Sequence, residues 1–292
     1  MDLRRLSSFL ALVEEGSFTR GARRLGITQP SLSQQIRTLE ADLGGPLLER
    51  LPRGIRLTAA GRALLPEAQA AVRAGERAEN AARMALGLEA GELEVATLLS
   101  LAVGILPRAI ARWTERHPDV AIRMREYTHR TLLEEDVRSG VGDIALGPLP
   151  EGWQGPLVRL GFEELVVVVP PSDPLAGQKS ARLETLADRS WILFQPGHGL
   201  TDVVDAACHR AGFQPRVAVR TTQVEAATRL AAAGLGPTMV PDNVVSPDLE
   251  TVVRLDPPVL RELAAYTRSD WSPLASAFLE SLRAGDWQRR PA

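Results

Sequence analysis

The sequence predicts an α/β protein with a separate helical module at its front, and three observations carry that prediction. Apolar residues recur at intervals of three and four through the first 43 residues, interrupted by glycines, and an alanine-rich stretch then runs from Thr58 to about Leu88. Beyond Gly91 short apolar runs alternate with helical patterns. The 292 residues suffice for two domains with their own cores, and 45% hydrophobic with 24% charged residues is an ordinary soluble composition. No run of eighteen apolar residues occurs, and the start Met1-Asp2-Leu3-Arg4-Arg5-Leu6 lacks a long apolar stretch, so a cytoplasmic protein without a membrane partner is expected.

Leu3, Leu6, Phe9, Leu10 and Val13 predict a first helix from about Leu3 to Glu15, stopped by Gly16, with Ser17 capping the next. Ala22 and Leu25 give that second helix an inner face, Gly26 breaks it, and Thr28 caps a third whose Leu32, Ile36, Leu39 and Leu43 recur at helical spacing. The face carrying Gln29, Ser31, Ser33 and Gln34 is thereby free. A helix serving only stability more often shows Glu and Lys there, whereas Gln and Ser exchange hydrogen bonds with base edges and phosphates, as the second helix of a helix-turn-helix does. Two short strands around Pro52-Arg53-Gly54 would form a wing, with Arg53 at its tip and Arg50 and Arg56 nearby.

Charge agrees with that reading. The chain is net −2, but residues 1–60 hold nine arginines against six acids, a basic front end on an acidic body. Of 34 basic residues only Lys179 is lysine, a bias uniform along the chain that carries no mechanism.

In the alanine-rich stretch, Leu65, Ala68, Val72, Gly75, Ala78, Ala82 and Leu86 mark a narrow seam of nearly heptad spacing along one long helix, with Pro66 inside it. So thin a stripe cannot bury enough surface alone, which predicts packing against the front module or a second copy, hence a dimer. After Gly91 come strand 93–97, helix 103–116, strand 121–125, helix 132–139 and strand 143–146, then strands at 165–170 and 191–194, helix 201–211, strand 217–220, helix 224–233 and strand 238–240. Two α/β lobes in tandem leave a cleft where strand ends and helix starts converge.

These residues place the chain beside a known family. Glu15-Gly16-Ser17-Phe18-Thr19-Arg20-Gly21-Ala22-Arg23-Arg24-Leu25, Thr28-Gln29-Pro30-Ser31-Leu32-Ser33, Leu39-Glu40, Leu43-Gly44 and Leu57-Thr58-Ala59-Ala60-Gly61 resemble the N-terminal signature of LysR-type transcriptional regulators. His117-Pro118-Asp119-Val120, Gly142-Asp143-Ile144-Ala145-Leu146, Ala211-Gly212-Phe213 and Ala232-Ala233-Gly234-Leu235-Gly236 look like landmarks of its effector domain. The resemblance implies a winged helix-turn-helix over 1–60, a dimerising linker helix over 61–90, and over 91–292 a two-lobed Rossmann-like domain akin to type II periplasmic binding proteins. Lobe I would take about 91–161 with 268–292, and lobe II about 162–267.

It also implies partners: double-stranded promoter DNA, further copies of the chain as a dimer of dimers, RNA polymerase, and a small-molecule effector, anionic by expectation, that shifts the population of DNA-bound arrangements. Carried onto this sequence, Gln29, Pro30, Ser31 and Ser33 would face the major groove, with Gln34 and Arg37 reaching bases or phosphate, and Arg50 and Arg53 would bind DNA from the wing, Arg53 near the minor groove. Ser100 and Leu101 after the first strand, Thr128 and His129 after the second, and Gln195, Pro196, Gly197, His198 and Thr201 across the cleft would hold the effector, a helix start at Ser100 favouring an anion. Gly21, Asp173 and Pro237 depart from the family's usual residues.

Other classes fare worse. Neither a lysine-bearing phosphate loop, a paired-histidine metal motif nor a Gly-x-Ser-x-Gly elbow is present, so no catalytic residue, metal or cofactor is expected. The lone Cys208 has no resolving partner for redox sensing and reads as a buried small hydrophobe beside a surface His209.

Overall fold

The computed structural model describes residues 1–51, 54–85, 91–245 and 250–285. Helix α1 (Leu3–Glu15) starts where the Asp2 carboxylate accepts the Arg5 N–H at 2.9 Å and stops at Gly16, whose φ of 61° only glycine adopts freely. Helix α2 (Phe18–Arg24) follows Ser17, which holds the cap position without a side-chain cap bond, contrary to expectation. Helix α3 (Gln29–Leu43) is capped by the Thr28 hydroxyl, which accepts the Ser31 N–H at 3.3 Å, and Pro30 sits in the first turn, where its missing N–H costs no bond.

The three helices enclose Leu6, Phe9, Leu12, Ala22, Leu32, Ile36 and Leu39, joined by Leu47, Leu48 and Ala68. Leu3 and Leu43, placed on inner faces by periodicity, are 47% and 46% exposed, since each lies at a helix end beyond this small core. Strands β1 (Leu48–Leu51) and β2 (Gly54–Leu57) form the expected antiparallel hairpin, Leu48 opposite Leu57. Helix α4 (Ala59–Ala85) runs unbroken through Pro66. Ala68 is buried and Leu65 and Val72 pack partly on the same core, whereas Ala78 and Ala82 are exposed; Leu86 lies outside the described residues.

These elements belong to one unit of the chain, and a second begins at Glu92. It comprises β3 (Glu92–Leu98), α5 (Leu99–Gly104), α6 (Leu106–Arg116), β4 (Ala121–Tyr127), α7 (Arg130–Arg138), β5 (Ile144–Pro148), β6 (Leu157–Val168), β7 (Ser180–Ala181) and β8 (Ser190–Phe194). It continues through α8 (Thr201–Arg210), β9 (Arg216–Thr221), α9 (Val224–Ala232), β10 (Thr238–Pro241), β11 (Val252–Leu255), β12 (Val259–Tyr266) and α10 (Pro273–Arg283). The single helix expected over 103–116 is two, because Pro107 near the start of α6 lacks the N–H that would continue α5.

The main sheet runs β4-β3-β5-β12-β6-β11-β7 with β10 also on β6, and β8 pairs β9 in parallel beside it. Two cores result. One gathers Leu93, Val95, Leu106, Trp113, Ile144 and Leu146 with Leu263–Tyr266 and Phe278, the other Leu165–Val169, Trp191–Phe194, Val204, Cys208, Met239, Val240 and Val259. Strands β6 and β12 are antiparallel along their length and run from one core into the other. The expected strand at 165–170 is thus the second half of β6. Placing all of 162–267 in one lobe also needs correction, because Leu263–Tyr266 pack in the first core.

Candidate nucleic-acid interface and effector site

Gln29, Pro30, Gln34 and Arg37 are exposed on α3 and Ser31 is half-buried. The Arg37 guanidinium donates to the Gln34 side-chain oxygen at 3.0 Å, which holds both along the free face. Ser33 departs from expectation: it is 5% exposed. At 100° per residue it turns with Leu32 and Ile36 toward the core, and its small hydroxyl side chain fits there. On the hairpin, Arg56 donates to the Glu49 carboxylate at 3.0 Å, so part of the wing's charge is neutralised in place. Arg53 and the Arg50 side chain lie outside the described residues.

In the second unit the effector candidates separate. Leu101 is fully buried in the first core and is packing, not lining. Ser100 is also buried, and α5 is only six residues long with Leu98 at its cap position, so Ser100 neither caps nor heads a helix of useful dipole. Instead its hydroxyl oxygen accepts from Arg261 Nη2 at 3.1 Å.

The Thr128 carbonyl accepts the Gly199 N–H at 3.0 Å, and His129 and His198 face each other in an antiparallel bridge. The segment after β4 and the loop before α8 are thereby tied together. Gln195, Pro196 and Gly197 are on the exposed side of that loop, and Thr201 donates its hydroxyl to the Gln195 carbonyl at 2.8 Å, closing the turn into α8. His198 is 3% exposed and stacks on Phe194, centroids 4.5 Å apart. Its Nδ1 accepts the Leu200 N–H at 3.2 Å, which assigns the proton to Nε2. Burial, and then the positive Arg261, push the imidazole down to about 4, so it is neutral.

Three residues were missed by sequence reasoning. Arg261 on β12 and Glu163 on β6 are register partners and form an ion pair, and Asn243 donates to the second Glu163 oxygen at 3.1 Å. Arg261 Nη1 also donates to the Gly199 carbonyl at 2.8 Å. A signal existed in the charged residues inside the otherwise apolar run Val259-Leu260-Arg261-Glu262-Leu263, but pairing with Glu163, 98 residues earlier, is not readable from spacing.

Comparison with known proteins fits both halves. A model described as the bacterial regulatory helix-turn-helix protein, lysR family, matches residues 3–62, and one of the LysR substrate binding domain matches 86–287. The chain is 34% identical over 242 residues to a probable hydrogen peroxide-inducible genes activator of Mycobacterium avium, covering 82% of this chain and 78% of that protein. It is 31% identical over 294 residues to the HTH-type transcriptional regulator BudR of Raoultella terrigena, covering 99% and 95%. Among solved structures, a full-length OxyR variant of Pseudomonas aeruginosa is similar with a TM-score of 0.75 at 25% identity, covering 100% of this chain and 99% of that one. Full-length CbnR in complex with its target DNA gives 0.72 at 27% identity, covering 97% and 99%. An exposed recognition helix beside a hairpin, followed by a two-core α/β unit and matched by both family models, places the chain in the LysR family: it is a DNA-binding transcriptional regulator with an effector-binding domain.

Proposed function

We propose that the free face of α3 reads the major groove of promoter DNA through Gln29, Pro30, Ser31, Gln34 and Arg37, while Arg50 and Arg53 of the hairpin meet phosphates or the adjacent minor groove. The observation that carries this reading is the composition of that face: amide, hydroxyl and proline-ring groups with one guanidinium, beside the β1–β2 hairpin. Gln29 is suited to adenine, whose N6 and N7 match its amide. Gln29→Ala is expected to lose about 1–3 kcal/mol of discrimination between operator and mutated sites while the salt dependence of binding is unchanged. Footprinting and a salt titration check this, and undiminished selectivity sinks the assignment.

The organisation proposed is a DNA-binding module over 1–60, a linker helix over 61–90 and an effector domain over 91–292. The exposed Ala78 and Ala82 support a second copy on α4, which would set two recognition helices on a pseudo-palindrome, and a dimer of dimers extends the same logic. A small molecule at the junction of the two cores biases the arrangement of the oligomer on DNA, and through it the bend and the access of RNA polymerase, in the cytoplasm. Ser100, Thr128, His129 and His198 remain the proposed effector contacts, joined now by Arg261, with Gln195, Pro196, Gly197 and Thr201 forming the loop that flanks them.

One relative's name invites a second reading, response to hydrogen peroxide. Cys208 argues against it. The thiol is buried in the second core and pushed up to about 12, chiefly by burial and then by Asp205, so almost no thiolate forms. Peroxide at concentrations that oxidise exposed thiolates is expected to leave the native protein's mass and operator footprint unchanged. A sulfenate or sulfinate on Cys208 with an altered footprint would reverse this conclusion.

A further inference from the structure

Where β6 and β12 pass between the two cores, the second unit holds an internal ion pair. The Arg261 and Glu163 side chains are 5% and 2% exposed. The Nε and Nη2 nitrogens of the guanidinium engage one Glu163 oxygen, and Asn243 donates to the other. Nη2 also donates to Ser100 Oγ on the first core's side, and Nη1 donates to the Gly199 carbonyl of the loop before α8.

The acceptors beyond Glu163, Ser100 Oγ and the Gly199 carbonyl, are uncharged, although a guanidinium pairs most strongly with carboxylates in a fork geometry. Glu163 explains why. It sits opposite Arg261 in the strand ladder and already neutralises it, so a second carboxylate would bring an uncompensated negative charge into a water-poor site. His198 is neutral and supplies no counter-charge. The two contacts also come from different elements. Ser100 belongs to a helix, whereas the Gly199 loop carries the exposed Gln195, Pro196 and Gly197 and is tied to the opposite segment by the Thr128 carbonyl and the His129–His198 bridge. A Cβ on Gly199 would strike the Leu98 side chain, so the loop backbone itself lies against the first core.

We infer that Arg261 Nη1, beside Ser100, seats an uncharged small effector whose carbonyl or hydroxyl oxygen replaces the Gly199 carbonyl, and that Glu163 makes the seat select against carboxylates. This rests on the reading of the protein as an effector-controlled regulator and replaces the anionic effector expected from a helix start at Ser100.

The test uses the full-length protein at pH 8, where imidazoles are uncharged, with matched pairs of probes: benzamide and benzoate, nicotinamide and nicotinate, propionamide and propionate. Thermal shift and calorimetry are expected to show at least one amide binding tenfold or more tightly than its carboxylate, and Glu163→Gln to reverse that order by freeing the Arg261 charge. Wild-type preference for carboxylates, no binding by any probe, or an unchanged order in folded Glu163→Gln overturns the inference; if that variant does not fold, the wild-type order decides. Operator footprinting of the same preparation separates the levels: loss of specific DNA binding by the wild type defeats the regulator reading, whereas a carboxylate preference with an intact footprint defeats only this one.

Discussion

Arg261→Met is expected to destabilise the second unit by about 3–5 kcal/mol, the range for removing one partner of a buried ion pair. The reason is what remains. Glu163 stays buried in register on β6 with Asn243 as its donor among the described residues, and the Ser100 hydroxyl and Gly199 carbonyl both lose the donor they share. A carboxylate stripped of its guanidinium costs several times more than the net worth of the pair. The double variant Arg261→Met with Glu163→Leu removes both charges and is expected to regain most of the loss. Urea melts of the wild type, the two singles and the double give the coupling as a mutant cycle. A wild-type midpoint for Arg261→Met would show that the pair does not close the waist between the cores.

Leu32→Ala is expected to cost about 2–5 kcal/mol, and to cost it in the DNA-binding unit alone. Leu32 is fully buried, and its Cδ2 lies close enough to the helix surface at Gly21 that a Cβ there would touch it at 3.3 Å. Helices α2 and α3 therefore meet through this side chain. Its core is the smallest of the three clusters and has little stability to spare. Differential scanning calorimetry should show one transition shifted down and the other unmoved, since two units need not melt together. Operator binding should vanish at temperatures where effector-domain signals are native. Loss of both transitions together would mean that the units do not fold independently.

The parts legible in the sequence were those determined over a few residues. Thr28 before Gln29-Pro30, Gly16 and Gly26 between apolar periods, and Arg53-Gly54 between two short strands each state a local geometry, because capping, positive φ and turn formation depend on near neighbours. Ser33 shows the limit of that logic. An apolar period identifies its own members, but a small polar residue at the border of the face goes in or out according to what the neighbouring helices leave room for. The division of the expected 103–116 helix at Pro107 was legible in principle, since proline's missing donor is a local fact.

The effector side was legible only in part for the same reason. Ser100, Thr128 and His198 were named because the family resemblance puts effector contacts after strands, the place where α/β folds build sites. Arg261, Glu163 and Asn243 were not, because each gains its meaning from residues 62 to 161 positions away: Ser100 lies 161 residues from Arg261 and Gly199 lies 62.

By itself, then, the sequence determined that there is a third helix with an exposed face of amide, hydroxyl and proline groups and one arginine, a hairpin, a long small-residue helix and an alternating α/β body, since each follows from periodicity, caps and glycines within one turn or one strand. Only the tertiary structure decided that β6 and β12 carry the chain between two cores, that Ser33 turns inward, and that the one buried guanidinium described at that crossing already has its carboxylate. Charge compensation in a low-dielectric interior is a property of which strands lie side by side, and no local pattern encodes it.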